Sequence, residues 1–188
     1  FNGPTIDGSL RNIQLIRNGK KITTIDYYDY LLTGRKLKDI RLQNDDVVFI
    51  PPRGKTVKIY GEVTRQAIYE LKNKETLKDL IEIASGLKTS AYMDRARIDR
   101  IIPPEDRVSL GIDRTIIDVS LNDIFSNKKN KFKLFDGDSI TVFPILKEVQ
   151  NIVTIEGSVN RPGSYNFEQG LTVTDLILKA AGLSSDAY

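Results

Sequence analysis

The sequence predicts an α+β fold built from one small unit written more than once along the chain, and three observations carry that expectation. Residues 57–92 and 153–188 align without a gap and share 15 of 36 positions. In each copy an alternation of apolar and polar residues, the period of a half-buried strand, gives way to a helical period behind a threonine. A second gapless correspondence sets IDYYDYLLTGRKLKDIRLQNDDVVFIPP at 25–52 over IDVSLNDIFSNKKNKFKLFDGDSITVFP at 117–144, and upstream GSLRNIQLIR at 8–17 lies over AYMDRARIDR at 91–100. Self-similarity at a fixed spacing marks a repeated supersecondary unit, so the chain reads as the back half of one unit, one whole unit, and the front half of another.

Within a unit the strands come first. VKIYGEV at 57–63 and AIYEL at 67–71 alternate, and the link between them has the length of a hairpin turn. In the later copy that link is Arg161-Pro162-Gly163-Ser164, where proline supplies φ at the second position and glycine the positive φ at the third, the chemistry of a type II turn. The earlier copy has Gln66-Ala67 there; alanine resists positive φ, so a type I or otherwise altered turn is expected. Thr76 and Thr172 then read as helix N-caps, each with Asp three residues later. Leu77, Leu80, Ile81 and Ala84 share one helix face, and Val173, Leu176, Ile177 and Ala180 repeat it. Gly86 and Gly182 stop the helices.

After the helix, strands are expected around 97–101 and 115–119, with Glu105 and Asp106 in a loop beside Pro103-Pro104. A helical turn follows near 121–125, and SITVFP forms the last strand behind the turn Asp136-Gly137-Asp138. Strand, strand, helix, strand, strand, strand is most economically one mixed sheet with a helix lying across it, a β-grasp. The expected fold is therefore a tandem of β-grasp modules with ubiquitin-like topology, one complete and two partial. Residues 1–52 supply a C-terminal half, 55–146 a complete module and 150–188 an N-terminal half.

Composition narrows the chemistry. A chain of 188 residues with 40% hydrophobic and 28% charged residues can bury a substantial core. The net charge of +3 comes from interleaved acids and bases, which does not make a nucleic-acid footprint. The one dense basic run, Lys128, Lys129 and Lys131, reads as a solvated loop tip. Without cysteine or histidine in the sequence, thiolate and imidazole nucleophile relays and the usual zinc ligand sets cannot be built. No apolar run approaches the ~20 residues that span a bilayer. No enzymatic activity, metal or cofactor is expected.

The candidate contact residues are two repeated pairs. Arg65 and Arg161 sit at corresponding turns, either to meet an acidic ligand or as solvated turn arginines. Tyr69 and Tyr165 either stack on a sugar face or pack half-buried on the sheet. Tyr27, Tyr28 and Tyr30 form an aromatic cluster that is a surface feature or a piece of core. The acidic turns Asp136-Gly137-Asp138 and Asn44-Asp45-Asp46 offer fewer oxygens than calcium requires, and read as turn chemistry before a strand.

GSVNRPGSYNF, TVTDLILKAAGL and FDGDSITVFP together resemble the soluble-ligand-binding β-grasp (SLBB) repeat of outer-membrane polysaccharide export proteins. The middle copy departs from the pattern at Gln66-Ala67 and Ser85, and the first has NDDVVF in the last strand. The resemblance implies a periplasmic, outer-membrane-associated segment of a ring-forming exporter of capsular or extracellular polysaccharide. Its partners would be further copies of itself, the polysaccharide and an inner-membrane polysaccharide co-polymerase. A stand-alone soluble module that binds a glycan or another small ligand is the alternative, and a carboxylate-based hydrolase would need two carboxyls facing across a cleft. The two partial modules carry a further expectation: residues 1–52 of one molecule complete residues 150–188 of another, or the halves fray.

Overall fold

The computed structural model describes residues 5–34, 40–126 and 132–187. The α+β class holds, and the chain divides into two compact units, Phe1–Ile145 and Leu146–Tyr188. The lysines of the basic run, 128, 129 and 131, lie outside the described residues.

The first unit begins with β1 (Ile13–Arg17), β2 (Lys20–Ile25), helix α1 (Tyr27–Thr33) and β3 (Val47–Phe49), which form an antiparallel sheet in the order β2-β1-β3. Asn18 and Gly19 join β1 to β2 with φ of 49° and 71°, the left-handed pair that a two-residue hairpin needs to match strand twist. Asp26 caps α1 by accepting from the Tyr28 N–H, and Gly34 ends it in the left-handed region.

The next elements are β4 (Thr56–Gly61), β5 (Ala67–Glu70), α2 (Leu77–Ile83), β6 (Ala91–Ile101), α3 (Pro104–Leu110), β7 (Arg114–Val119), α4 (Leu121–Ser126) and β8 (Ser139–Pro144). Their sheet has the order β5-β4-β8-β6-β7, with β4 and β8 parallel and every other pair antiparallel. That is the β-grasp order, with the first and last strands adjacent at the centre. Alternation buries Val57, Ile59, Ile98, Ile140 and Val142 on one face, and Leu77, Leu80, Ile81 and Ala84 of α2 cover it. Leu121 and Ile124 of α4 close the side of the same core. Gly61, at φ 89°, is required there because a Cβ would come within 2.0 Å of the Val142 carbonyl oxygen on β8.

Glu105 and Asp106, expected in a loop beside Pro103-Pro104, lie in a helix instead. Pro104 stands at its first turn, Glu105 and Asp106 complement the exposed N–H end, and Gly111 at φ 67° stops it. It buries no residue, so no apolar periodicity announces it. The tight Asn18-Gly19 turn occupies the corresponding place between β1 and β2.

The second unit contains β9 (Ile152–Ile155), β10 (Gly163–Asn166) and α5 (Val173–Lys179). Its hairpin register, Val153 opposite Tyr165, reproduces Val57 opposite Tyr69. Thr76 with Asp79 and Thr172 with Asp175 both form reciprocal capping boxes. Both helices end alike: Gly86 N–H donates to the Ile81 carbonyl and Gly182 N–H to the Ile177 carbonyl, the long bond of a Schellman stop.

The link between the hairpin strands is not a type II turn. Gly163 takes φ 147°, far from the roughly +80° of such a turn. The Arg161 carbonyl, which a type II turn would use to accept from Ser164, instead accepts the Tyr165 hydroxyl at 2.6 Å. The segment is also stitched to the helix end, with Arg161 N–H to the Ala180 carbonyl and Asn160 N–H to the Gly182 carbonyl. The earlier copy does the same with Arg65 to Ala84 and Thr64 to Gly86, so Gln66-Ala67 serves without a glycine.

Exposed Ser85 follows α2 at φ 66°, a region that is strained for a residue with a Cβ by about 1–2 kcal/mol. Ser85→Gly is expected to stabilise the first unit by about 1 kcal/mol, net of the added freedom of glycine in the unfolded chain. Thermal melts followed by circular dichroism should show the midpoint rising by a few degrees, and Ser85→Val should lower it.

Candidate functional site at the module junction

The repeated arginines and tyrosines come together within each copy. Arg65 and Arg161 are exposed, and Tyr69 and Tyr165 are half-buried. Each tyrosine donates its hydroxyl to the carbonyl of its own arginine, at 2.8 Å and 2.6 Å. The tyrosines thus staple the hairpin link, which leaves the guanidinium groups free to face solvent. Burial raises the pKa of Tyr69 above the ordinary phenol value.

The acidic turns are each clasped by arginine. Arg100 on β6 donates Nε and Nη2 to Asp138 at 2.9 and 2.7 Å, and the fully buried Asp138 also accepts from the Phe135 N–H. In the earlier copy Arg17 on β1 donates the same two nitrogens to Asp46 at 2.7 Å each, and Asp46 accepts from the Gln43 N–H. These are bidentate, charge-assisted pairs in matching positions. The arginine hydrogen bonds hold the Asp46 pKa down to about 2. Glu105 and Asp106, by contrast, are exposed on the first turn of α3.

The densest constellation lies where β1 and α1 meet β5 and the start of α2. Arg11 and Asp26 are buried, and Arg11 donates Nε and Nη2 to Asp26, with Nη2 at 3.0 Å from Oδ2. Its Nη1 reaches Glu75 at 2.6 Å and the Glu70 carbonyl at 3.1 Å. Lys72 pairs with Asp26, so two cations and two carboxylates balance. The guanidinium lies 4.6 Å over the Tyr28 ring, and the Tyr28 hydroxyl accepts from the Glu70 N–H. Glu70 holds the preceding segment as well, accepting from the Ser9 hydroxyl at 2.7 Å and the Leu10 N–H at 3.1 Å. Burial works to raise the Asp26 pKa, but the bonds from Arg11 and Lys72 outweigh it and the net displacement is downward.

A polar cleft of about 620 Å³ opens beside this network, lined among others by Asn12, Thr24, Lys55, Lys72 and Asn73. Burial lowers the Lys55 pKa, and its ammonium donates to the Leu134 carbonyl at 3.0 Å. With Asp26, Asp29 and Glu70 also in its lining, the cleft mixes donors and acceptors, a set suited to a hydroxyl-rich ligand. Tyr27 and Tyr30 stand on the exposed side of α1 with ring centroids 5.5 Å apart, whereas Tyr28 turns into the junction.

Asp26 recurs as Asp118, but Arg11, Lys55 and Glu75 do not stand out in the sequence, because none of them has a like counterpart in the repeat. Asp94 occupies the place of Arg11, and Leu171 that of Glu75. The Arg17–Asp46 and Arg100–Asp138 clasps did leave a trace: both arginines and both aspartates recur at matching positions.

Two outcomes are expected. Removing one partner of a buried pair strands the other, at about 3–5 kcal/mol. Arg11→Met should therefore release residues 9–26 to rapid hydrogen exchange while the β4–β8 pairing stays protected. The second concerns pH. Carboxylates held below their unfolded pKa of about 3.9 contribute stability that is complete above that value and lost as pH falls toward the folded pKa. The thermal midpoint should hold steady from neutral pH to about pH 5 and drop below about pH 4, and Asp46→Asn should shrink that acid-induced drop.

The SLBB domain matches this chain at residues 56–113 and 152–188, together half of its length. A comparison with curated proteins finds no match. The two matched stretches share a stapled hairpin, a stitched link and a box-capped helix, and on that combined ground the chain belongs to the SLBB domain family.

Proposed function

We propose that this chain is a periplasmic segment of a capsule or exopolysaccharide export protein, associated with the outer membrane, where it serves as an assembly and glycan-contact module without catalysis of its own. The observation that carries this reading is the junction. An ion network centred on the buried Arg11 and Asp26 locks the segment that carries β1 and α1 to β5 and the start of α2, and rigidly joined elements are suited to act as a framework. The cleft beside it presents amides, hydroxyls, ammonium groups and carboxylates that suit saccharide hydroxyls. Arg65 and Arg161, exposed at matching places, add cationic contacts for an acidic glycan, with Tyr69 and Tyr165 fixing the loops that carry them. Further copies of the chain, the polysaccharide and an inner-membrane polysaccharide co-polymerase are the partners of such a segment. The cleft by itself also fits the second reading, a stand-alone soluble module for a glycan or small ligand.

Two measurements together test the proposal. Deleting this segment in the native host should abolish surface polysaccharide and leave polymer behind in the periplasm; normal surface polysaccharide would overturn the export role. Titration calorimetry with acidic and neutral oligosaccharides should show preference for the acidic ones. Lys55→Ala should weaken binding about fivefold, the loss of one net hydrogen bond to a ligand. Saccharide binding with intact export would favour the stand-alone module.

A further inference from the structure

The chain passes twice from a closing strand into the next hairpin, from β3 to β4 and from β8 to β9. The same two backbone bonds bracket both links. Around the first, Arg53 N–H donates to the Asp7 carbonyl and Leu71 N–H to the Lys55 carbonyl, each at 2.8 Å. Around the second, Ile145 N–H donates to the Ser90 carbonyl at 2.8 Å and Phe167 N–H to the Asn151 carbonyl at 3.0 Å. What lies between the brackets differs. The first link has a single residue there, Gly54, whose own N–H is held by the Glu70 carboxylate at 2.9 Å. The second has five, 146–150, all exposed, and among the described residues none of the five enters a hydrogen bond or ion pair.

The side chains diverge in the same sense. The first link runs beside Glu70 and the network of Arg11, Asp26, Lys72 and Glu75. At the corresponding positions of the second stand Asn166, Asp94, Asp118, Glu168 and Leu171. Both cations have become carboxylates, while the aspartate they served is retained. Docked as at the first link, Asp94, Asp118 and Glu168 would gather three like charges with no cation from the set, a repulsion that grows as they leave water. Each is engaged locally instead: Asp94 accepts from Asn122, Asp118 pairs with Arg95, and Glu168 pairs with Lys179. Every element that builds the first link has its counterpart among the described residues, so the two links are compared like for like.

We propose that the β8–β9 link is an articulation, about which residues 151–187 reorient, whereas the β3–β4 link is fixed. A hinge is a short run of loop residues that absorbs changes in φ and ψ while the packed elements on either side keep their form. Residues 146–150 are such a run, and Gly54, held on both sides and by its own N–H, is not. This inference rests on the comparison of the two links and stands apart from the glycan reading.

Because the sequence has no cysteine, introduced pairs can be labelled with nitroxides and their separations measured by pulsed electron paramagnetic resonance. Lys21→Cys with Asn73→Cys spans the first link, and Asp113→Cys with Gln169→Cys occupies the corresponding exposed positions across the second. The first pair should give a narrow distance distribution and the second one several-fold broader. A third pair, Thr154→Cys with Thr174→Cys, lies inside the second unit and should be narrow, which assigns the breadth to the link. Deleting residues 147–150 and installing Asp94→Arg, Asn166→Glu, Glu168→Lys and Leu171→Glu should narrow the second pair to the width of the first. A wild-type second pair as narrow as the first would overturn the proposal. So would breadth inside the second unit, or a folded restored chain whose second pair stays broad.

Discussion

The adjacency of β4 and β8 is the constraint on which the rest of the fold depends. A unit whose opening and closing strands are parallel neighbours cannot complete its sheet until the whole intervening chain has folded. Its centre is therefore its most demanding contact, with Gly61 pressed against the Val142 carbonyl and Ile59 opposite Ile140. The helix, the flanking strands and α4 all pack on a surface that this one pairing creates. It also explains why a part of such a unit has an uncovered aliphatic face and an open strand edge, whatever its local geometry.

Around that centre the chain repeats two small devices and adds one that it does not repeat. The tyrosine staple and the helix-end stitching hold the hairpin link in both copies, and the arginine clasp fixes the start of the closing strand in both copies. These maintain the unit. The Arg11 network instead ties the β1–α1 segment to β5 and α2 within the first unit, and the counterparts of Arg11 and Glu75 elsewhere are an aspartate and a leucine. Chemistry that serves one junction diverges freely, because the neighbouring unit meets different neighbours.

That division accounts for what could be read beforehand. The duplicated hairpin, the threonine caps and the glycine stops were legible because each is a local rule written twice. The clasps were half legible: Asp46 and Asp138 read as turn residues, while the arginines that engage them lie 29 and 38 positions away in sequence. α3 was missed because a helix that buries nothing has no apolar period, although proline, two acids and a glycine frame it. The Arg161-Pro162-Gly163 link misled because proline and glycine favour a type II turn locally, whereas the tyrosine hydroxyl and the helix end compete for the same backbone groups. The junction was not legible at all, since 64 residues separate Arg11 from Glu75 and no periodicity connects them.

The third-to-fourth-strand connection shows two solutions to one problem: two residues between β1 and β2, and the whole of α3 between β6 and β7. Neither solution contributes a side chain to the buried core. This end of the unit is consequently its natural place for growth, where a graft, an affinity tag or an entire inserted domain can hang from the sheet while the aliphatic interior keeps its shape.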